Sequence, residues 1–262
     1  MSIRLLSFSN LSQYKDELCH FSSTRLGGIS EGAFASLNLG NYSDDDPHNV
    51  DQNRQLLCNE LGISVRQLLT IHQVHGSEVL MVDSALLAMS LSEREAATQG
   101  FDAMICNVPE VCIAVTTADC VPVLLYDPVN KVIGAVHSGW RGTWQNIVGK
   151  TIDHMQELFG THPVNLIAAI GPCIDVDHYE VGVEVWNLFK DASFQVSSLF
   201  KMQQEHFYLD LRSAVLQQLK AKNVENTEVS SYCTYAQAEL FFSARRQGTH
   251  SGRMLTGIGM LK

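Results

Sequence analysis

Four continuous apolar segments in the middle of the chain constrain the fold more than any other feature of the sequence. They occupy residues 103–106, 111–117, 121–126 and 132–136, and short stretches rich in turn-forming residues separate them. Apolar residues follow one another in these segments without alternation, which is typical of strands that are buried on both faces. The sequence therefore predicts four strands, each covered on both faces by other parts of the molecule.

Helical periodicity marks three other parts of the chain. Residues 47–61 place apolar side chains on one face, begin with Pro47 after three aspartates, and end at Gly62. Residues 143–159 and 210–222 carry apolar stripes at the same spacing. Further strands are predicted at 164–170, 228–232, 239–243 and 253–261.

The order of these elements favours one fold class. Strands predominate and are not regularly interleaved with helices, which favours an α+β domain over a doubly wound fold. The 262 residues contain no internal repeat, no low-complexity run and no Pro- or Ser-rich linker. We therefore expect a single domain, residues 1–262, in which mixed β-sheets are flanked by helices.

Charge and hydropathy exclude several classes of partner. The formal net charge is −10, from 28 acidic and 18 basic residues. Non-specific binding to nucleic acid or to anionic membranes needs a basic face, so neither is expected. No segment approaches the roughly 20 apolar residues that span a bilayer, and the polar start of the chain lacks a secretory core. The expectation is a cytoplasmic protein that binds a small molecule and has no obligate protein partner.

The seven cysteines form an odd set without a CxxC pair. In the absence of a secretion signal, we expect free thiols that are mostly buried and structural. Cys120 is the exception, because polar residues surround it in the sequence. Residues 116–120 and 137–142 form the densest polar cluster within the apolar region.

A predicted hairpin brings two of these polar residues together. A turn of two or four residues around 127–131 would place Cys120 directly opposite His137, with Cβ atoms about 4.5–5.5 Å apart. A turn with an odd number of residues would put His137 on the other face of the sheet. The pair would suit a thiolate–imidazolium couple or two ligands of a zinc ion. A buried thiol beside a core histidine is the structural alternative.

A third donor strengthens the zinc interpretation. His72 and His75 flank the end of a predicted strand, and Gly76 permits a sharp turn after them. Three protein ligands and one open position describe a catalytic zinc site, which Cys120, His137 and one of these histidines would complete. A surface loop without a ligand role is the alternative reading of the same segment.

The stretch after His137 leads into a helix. Backbone N–H groups at such a helix start, together with Arg141, would suit an anion. A glycine-rich connection with a Thr cap would have the same sequence, so both interpretations stay open.

Seven segments together resemble the YfiH-type family of polyphenol oxidase or laccase-domain proteins, which are also described as purine nucleoside phosphorylases with adenosine deaminase activity. The segments are TRLGGISEG (24–32), SLNLG (36–40), HQVHG (72–76), TADCVP (117–122), HSGWRG (137–142), IGPCI (170–174) and SARR (243–246). The resemblance implies a layered fold related to cysteine hydrolases and a zinc ion held by His75, Cys120 and His137. His72 matches a less certain position in the pocket. Asn41 stands where the family usually has Asp.

The resemblance implies a zinc-dependent phosphorylase that acts on adenosine, inosine, guanosine and methylthioadenosine, and that also deaminates adenosine. Arg25 or Arg141 would then hold phosphate, because a guanidinium matches its oxygens. Asn38 would bind the nucleoside, and Asp119 would act as an acid or base or support Cys120.

Three other functions are compatible with the same residues. The first is an amidase that edits peptidoglycan precursors, in which Cys120 would be the nucleophile or a metal ligand. The second is a metal-sensing or binding module without catalytic activity. A copper-dependent polyphenol oxidase is the third, with copper in place of zinc. Multicopper sites need many imidazoles in HxH pairs, and this sequence has ten histidines without one such pair.

Overall fold

The computed structural model describes residues 2–192, 194–248 and 250–261. The helices are α1 (Ser9–Ser12), α2 (Pro47–Leu61), α3 (Ser84–Ala88), α4 (Leu91–Ala97), α5 (Trp140–Trp144), α6 (Ile147–Phe159), α7 (Val183–Lys190), α8 (Leu211–Ala221) and α9 (Ala244–Gln247). The strands are β1 (Leu5–Leu6), β2 (Leu18–Ser23), β3 (Leu68–Thr70), β4 (Val79–Val82), β5 (Ala103–Cys106), β6 (Cys112–Thr117), β7 (Val121–Asp127), β8 (Val132–Ser138), β9 (Ile167–Ile170), β10 (Glu180–Val181), β11 (Phe200–Gln203), β12 (His206–Leu209), β13 (Asn226–Val229) and β14 (Met254–Met260).

Within the described residues, the strands form three sheets. A five-stranded sheet has the order β1-β2-β14-β6-β3, a six-stranded sheet the order β13-β9-β7-β8-β5-β4, and a small sheet the order β10-β12-β11. The pairs β3–β6, β4–β5 and β9–β13 are parallel, and the other neighbours are antiparallel. Mixed sheets flanked by helices confirm the predicted α+β class.

The two larger sheets pack face to face. Val115 on β6 and Ile258 on β14 share a buried cluster with Leu124 and Ile133 of the six-stranded sheet. The opposite face of the six-stranded sheet, where Leu125 lies, is covered by α6 and α8. Helix α2 covers the outer face of the five-stranded sheet. The layers therefore run helix, sheet, sheet, helix, and both large sheets are buried on each side.

This layering explains the continuous apolar segments. All seven residues of β7 are buried, and consecutive residues such as Leu124 and Leu125 belong to clusters on opposite faces of the sheet. Side chains of a strand alternate between faces, so a strand covered on both faces needs apolar residues at every position. The prediction that these strands are buried on both faces is confirmed, with β6 in the five-stranded sheet and β5, β7 and β8 in the six-stranded one.

The helix predicted at 47–61 is confirmed at both ends. The carboxylate of Asp46 accepts a hydrogen bond from the backbone N–H of His48, and Pro47 occupies the first helical position. Gly62 ends the helix with φ of 69°, in the left-handed region that glycine tolerates. The helix predicted at 210–222 is likewise present as α8.

The helix predicted at 143–159 is interrupted. Asn146 has φ of 63° and separates α5 from α6. Asparagine tolerates this left-handed conformation better than most residues. The apolar stripe of the sequence continues across the break, so periodicity alone did not reveal it.

No strand forms at 239–243, where one was predicted. These described residues are turn and coil, although Phe241 and Phe242 are fully buried. The guanidinium of Arg246 donates hydrogen bonds to the carbonyls of Phe241, Thr234 and Tyr235, which takes the place of a strand partner. Apolar character here reflects burial in a small side cluster.

The β7–β8 hairpin has a different register from the predicted one. Pro122 pairs with His137, and Asp127 pairs with Val132 around a four-residue turn. Cys120 therefore lies diagonally from His137, one residue before β7, and the prediction that the two are directly opposed is wrong. The Asp127 carboxylate accepts hydrogen bonds from the N–H groups of Val129 and Asn130. These bonds hold residues 128–131 as the turn, so that Asp127 is the last paired residue of β7. The turn is still even, so both side chains keep the same face.

All seven cysteines are free, and five of them are buried, as predicted. Among the described residues, no helix has both the length and the apolar character needed to cross a bilayer.

Candidate metal centre

Three donor side chains meet at one end of the six-stranded sheet. His75 lies in the loop between β3 and β4, Cys120 precedes β7, and His137 is the last residue but one of β8. Their ligand atoms all lie within 4.8 Å of one another, and the three residues range from exposed His75 to buried His137. His137 is buried at the end of the sheet, Cys120 lies beside it just before β7, and His75 comes from an exposed loop, so the group is accessible from the side of His75.

A buried carboxylate fixes the orientation of His137. Asp102 is fully buried, and its Oδ1 lies 2.7 Å from His137 Nδ1. The backbone N–H of His137 also donates to the carbonyl oxygen of Asp102. Because the carboxylate occupies Nδ1, Nε2 is the nitrogen left to bind a metal, which is the usual arrangement of zinc-bound imidazoles.

The same carboxylate holds the loop that carries His75. The backbone N–H groups of Val74, His75 and Gly76 donate to Asp102 at 3.2, 3.0 and 2.6 Å. His75 has φ of 60°, an uncommon conformation for a residue with a side chain. Asp102 therefore positions two of the three donors, and the sequence reasoning missed it. The only signal was an isolated acid directly before the apolar segment 103–106.

Gln73 attaches this loop to the other sheet. Its amide donates to the carbonyl of Thr116 and accepts from the N–H of Thr116, both at 2.8 Å. The loop is thereby tied to β6 on one side and to Asp102 on the other.

Charges within the group favour a thiolate beside an imidazolium. Burial by itself would raise the pKa of Cys120, but the charge of His137 and hydrogen bonds from His137 and His75 lower it to about 6. Burial would lower the pKa of His137, but the Cys120 charge and the Asp102 carboxylate raise it to about 9. At neutral pH the metal-free protein therefore holds Cys120 as thiolate and His137 as cation.

Gly139 leaves space for the three donors. A Cβ atom on this glycine would lie 3.1 Å from Cδ2 of His75 and 3.2 Å from Sγ of Cys120. Both distances are tighter than ordinary van der Waals contacts, so a side chain here would displace the donors.

The donor group opens into a cavity of about 510 Å³. Its walls include aromatic and cationic side chains: Tyr42, His72, Tyr179, Arg54, Arg245 and Arg253. The three arginines stand out in a chain of net charge −10, and a cavity with this lining is suited to an anionic or partly anionic ligand.

Besides the donors Cys120 and His137, two other residues predicted to bind or act on substrate line the cavity, His72 and Asp119. The ring of His72 lies 4.1 Å from that of Tyr42. Asp119 also lines the cavity, but its carboxylate accepts hydrogen bonds from Thr234, Ser243 and the backbone N–H of Arg245. These contacts hold the Asp119 carboxylate in place, and its role as an acid or base or as a support of Cys120 stays a prediction.

Three other predicted residues do not line the cavity. Arg25 donates to the carbonyls of Ala35 and Ala238 and lies over the ring of Phe242. Asn38 is fully buried and hydrogen-bonded to neighbouring loop residues. Arg141 lies over the ring of Trp140, with 4.3 Å from its Cζ to the ring centroid. Their proposed roles in substrate binding stay predictions.

Asn41, the departure from the family pattern, has a clear contact. Its Oδ1 accepts a hydrogen bond from Arg54, which also donates to Leu39 and Thr70. Arg54 thereby fixes one wall of the cavity, and a neutral amide is sufficient for this contact.

Residues 19–261 match the family described as multi-copper polyphenol oxidoreductase laccase. The chain belongs to this family. It is 39% identical to the purine nucleoside phosphorylase of Bacteroides thetaiotaomicron, over 97% of this chain and 96% of the relative. It is 35% identical to adenosine deaminase RL5 of an unknown prokaryotic organism, over 91% and 92% of the two chains. The crystal structure of Bacillus licheniformis hypothetical protein YfiH superposes with a TM-score of 0.90 at 29% identity, covering 98% of each chain.

Replacement of Gly139 by alanine should weaken metal binding in this family member without unfolding it. Gly139 has φ of −77°, which alanine adopts freely, so the strain falls on the donors. We expect zinc affinity to fall about tenfold, the lower end of what is lost when a residue that orients a metal ligand is replaced. Competition with a chromophoric chelator measures the change. Gly134→Ala on β8, whose Cβ would meet Leu125 instead, is the control and should keep its zinc affinity.

Zinc binding to the metal-free protein should release protons. Zinc needs Cys120 as thiolate and His137 neutral. Between the pKa of Cys120, about 6, and that of His137, about 9, the thiolate is already formed, and of these two residues His137 is the one that must lose a proton. Affinity should therefore rise about tenfold per pH unit in this window, level off above it and fall more steeply below it. Calorimetric titration in buffers of different ionisation enthalpy should give about one proton per zinc at pH 7.5. A value near zero would contradict the ion pair.

Proposed function

We propose that this protein is a zinc-dependent purine nucleoside phosphorylase that also deaminates adenosine. Adenosine, inosine, guanosine and methylthioadenosine are its proposed nucleosides. The observation that carries the proposal is an open His–Cys–His donor set in one cavity with arginines and aromatic rings. The names of two relatives, a phosphorylase and a deaminase, support the same assignment.

The donor set fits zinc better than copper. One thiolate and two imidazoles are suitable tetrahedral ligands, and catalytic zinc sites keep a fourth position open. The Asp102 carboxylate behind His137 is a common companion of such a site. Copper is the alternative that the family description raises. A multicopper centre needs several imidazole-rich groups, and the described residues provide one group of three donors.

His75, Cys120 and His137 would hold the zinc ion, which when bound supplies a Lewis acid that polarises substrate oxygen or water. The remaining tasks fall to the walls of the cavity. They must bind the anion, hold the base and keep both in a fixed position.

Two arginines are suited to bind phosphate. Arg245 donates to the carbonyl of Glu180, and its Cζ lies 5.1 Å from the centroid of the Tyr179 ring. Arg253 donates to the carbonyl of Ser251 at 2.6 Å. Guanidinium groups held in this way match phosphate oxygens, and little of their freedom is lost on binding. We assign Arg245 and Arg253 to the anion in preference to Arg25 and Arg141, which do not line the cavity.

The Tyr42–His72 pair is suited to the base. The two rings are 4.1 Å apart, and the Tyr42 side chain is 56% exposed at the cavity mouth. A flat purine would stack on these rings, and the stacking would remove both the purine face and the ring face from water.

The test of this function is product analysis with inosine. In phosphorolysis the bond from ribose C1′ to N9 breaks and a phosphate oxygen forms the new bond to C1′, so hypoxanthine and ribose 1-phosphate should form in equal amounts. Release of base should require phosphate. Hypoxanthine formed equally fast without phosphate would contradict phosphorolysis, as would the absence of any turnover by zinc-loaded protein.

Arg245→Gln separates phosphate binding from nucleoside binding. Loss of one charged hydrogen-bonding group should raise KM for phosphate about 10–100-fold and leave KM for inosine nearly unchanged. Arg66→Gln, at an exposed position, is the matched control. Equal effects of the two variants on KM for phosphate would contradict the assignment of Arg245.

One observation favours a second function. Cys120, His137 and Asp102 form a series of thiolate, imidazolium and carboxylate, which is the order of groups in cysteine-dependent amide hydrolysis. An amidase acting on peptidoglycan precursors would use Cys120 as nucleophile. Turnover of such a precursor by metal-free protein, with loss on alkylation of Cys120, would favour this function over the zinc enzyme.

A further inference from the structure

Two cysteines from different strands lie on either side of one glycine. In the five-stranded sheet, Gly259 on β14 pairs with Cys19 on β2 and with Cys112 on β6. Residues that pair directly across neighbouring strands share a face of the sheet, so both thiols lie on the face that α2 covers. A Cβ atom on Gly259 would lie 3.0 Å from Sγ of Cys19 and 2.9 Å from Cβ of Cys112. Because Gly259 has no side chain, the two thiols can approach each other above it.

The two thiols interact across this space. The Cys112 thiol donates a hydrogen bond to the sulfur of Cys19, which lowers the pKa of Cys19 and raises that of Cys112 well above its ordinary value. A thiolate therefore forms more readily at Cys19 than at an isolated cysteine. The proton that remains on Cys112 lies between two sulfurs, which is the position that a bound cation would take.

The spacing of the strands does not suit a disulfide between these cysteines. Neighbouring strands lie about 4.7–4.9 Å apart, so residues two strands apart have Cα atoms about 9–10 Å from each other. A disulfide needs Cα atoms within about 7 Å of each other. Both cysteines are free thiols, and a cation between the two sulfurs would span a longer gap than an S–S bond.

The surroundings of the pair favour a positively charged ligand. Cys19 and Cys112 line a cavity of about 410 Å³, and its other lining residues include the exposed carboxylates of Asp16 and Glu110. Within the described parts of the chain, no lysine, arginine or histidine lines this cavity. Its acidic lining attracts cations, and thiolate sulfur selects soft ones such as Cu(I) over the hard ions Mg²⁺ and Ca²⁺.

We propose that Cys19 and Cys112 form a second metal site, which takes a soft cation of the Cu(I) class between their two sulfurs. Binding forms two sulfur–metal bonds, the thiol protons leave to solvent, and the cation keeps its oxidation state. Asp16 and Glu110 contribute negative charge in the same cavity. The site shares no residue with the group of His75, Cys120 and His137 and does not depend on the proposed function.

The probe is Cu(I), supplied without oxygen in competition with a chromophoric Cu(I) chelator. The background is Cys120→Ala, which removes the thiolate of the metal centre. We expect one Cu(I) per chain in this background. Adding Cys19→Ala or Cys112→Ala should lower the affinity by more than about 100-fold, because loss of a group behind a metal ligand already costs up to this much. If the Cys120→Ala protein holds no Cu(I) against the chelator, the proposal is overturned.

A third cysteine variant is the matched control. Cys106 is a buried strand cysteine whose sulfur hydrogen-bonds with the backbone of Val108, and Cys106→Ala in the same background should leave the Cu(I) affinity unchanged. Equal affinity with and without Cys19 would place the copper elsewhere. A loss in Cys106→Ala as large as in Cys19→Ala would also contradict the proposal. Thermal unfolding checks each variant, and if Cys112→Ala does not fold, the half-buried Cys19 decides the outcome alone.

Discussion

Replacement of Cys120 by alanine should remove both the metal and the turnover. Cys120 contributes the thiolate of a three-donor group whose ligand atoms lie within 4.8 Å of one another. Loss of a residue that hydrogen-bonds to a metal ligand costs up to about 100-fold in metal affinity. Loss of one of the three ligands themselves should therefore lower zinc affinity by more than about 100-fold. Turnover should fall at least about a thousandfold, since the Lewis acid contributes several kcal/mol.

Zinc content after dialysis and the rate of inosine phosphorolysis measure the two effects. His75→Ala and His137→Ala should behave in the same way, while the core of the two packed sheets keeps the fold. Cys19→Ala, at a half-buried cysteine on β2, is the matched control and should keep zinc and activity. Full zinc content together with full turnover in Cys120→Ala would refute the metal assignment. Retained zinc with lost turnover would make Cys120 the nucleophile and favour the amidase.

Asp102→Asn should weaken zinc binding and destabilise the fold together. The carboxylate contacts His137 Nδ1 and accepts from the backbone N–H groups of Val74, His75 and Gly76. An amide of the same size would turn an NH₂ group toward some of these donors. We expect a 10–100-fold loss of zinc affinity and about 1–3 kcal/mol of lost stability.

Asp127→Asn distinguishes the two effects. Asp127 is also a fully buried carboxylate that accepts from backbone N–H groups, in the β7–β8 turn, away from the metal centre. It should lose a similar amount of stability and keep its zinc affinity. Chelator competition and thermal unfolding of the metal-free proteins measure both quantities. Wild-type zinc affinity in Asp102→Asn would show that His137 needs no support from this carboxylate.

The pH dependence of the Asp102 carboxylate follows from its contacts. Burial works against its ionisation, but the hydrogen bond with His137 and the backbone donors lower its pKa below the usual value. A carboxylate with a lowered pKa stabilises the folded state above its unfolded pKa, and this contribution is lost as pH falls through the folded one. Asp102 therefore supports the loop at neutral pH and ceases to do so only in acid.

Local physical chemistry made several features readable from the sequence. The segments 103–136 have no alternation because both faces of the sheet are covered, and α2 carries its start and stop signals within its own residues. An even number of turn residues is enough to predict that Cys120 and His137 share one face of the sheet, because side chains of a strand return to the same face every second residue. The resemblance to known sequences added His75 as third donor.

Other features depend on residues distant in the chain, and only the tertiary structure decided them. The hairpin register depends on where the Asp127 carboxylate closes the turn, which shifts each pairing without changing the face. An apolar stripe gives no sign of a left-handed residue such as Asn146 within it. The apolar segment 239–243 likewise does not show that hydrogen bonds from Arg246 take the place of strand pairing. Asp102, Arg245 and Arg253 reach the metal centre from separate parts of the chain, and the sequence around each of them does not show which side chains it will contact. The sequence determines the buried strands and the donors, because burial and side-chain alternation are local. The tertiary structure alone determines what orients those donors, because that depends on contacts between loops that only the packed sheets bring together.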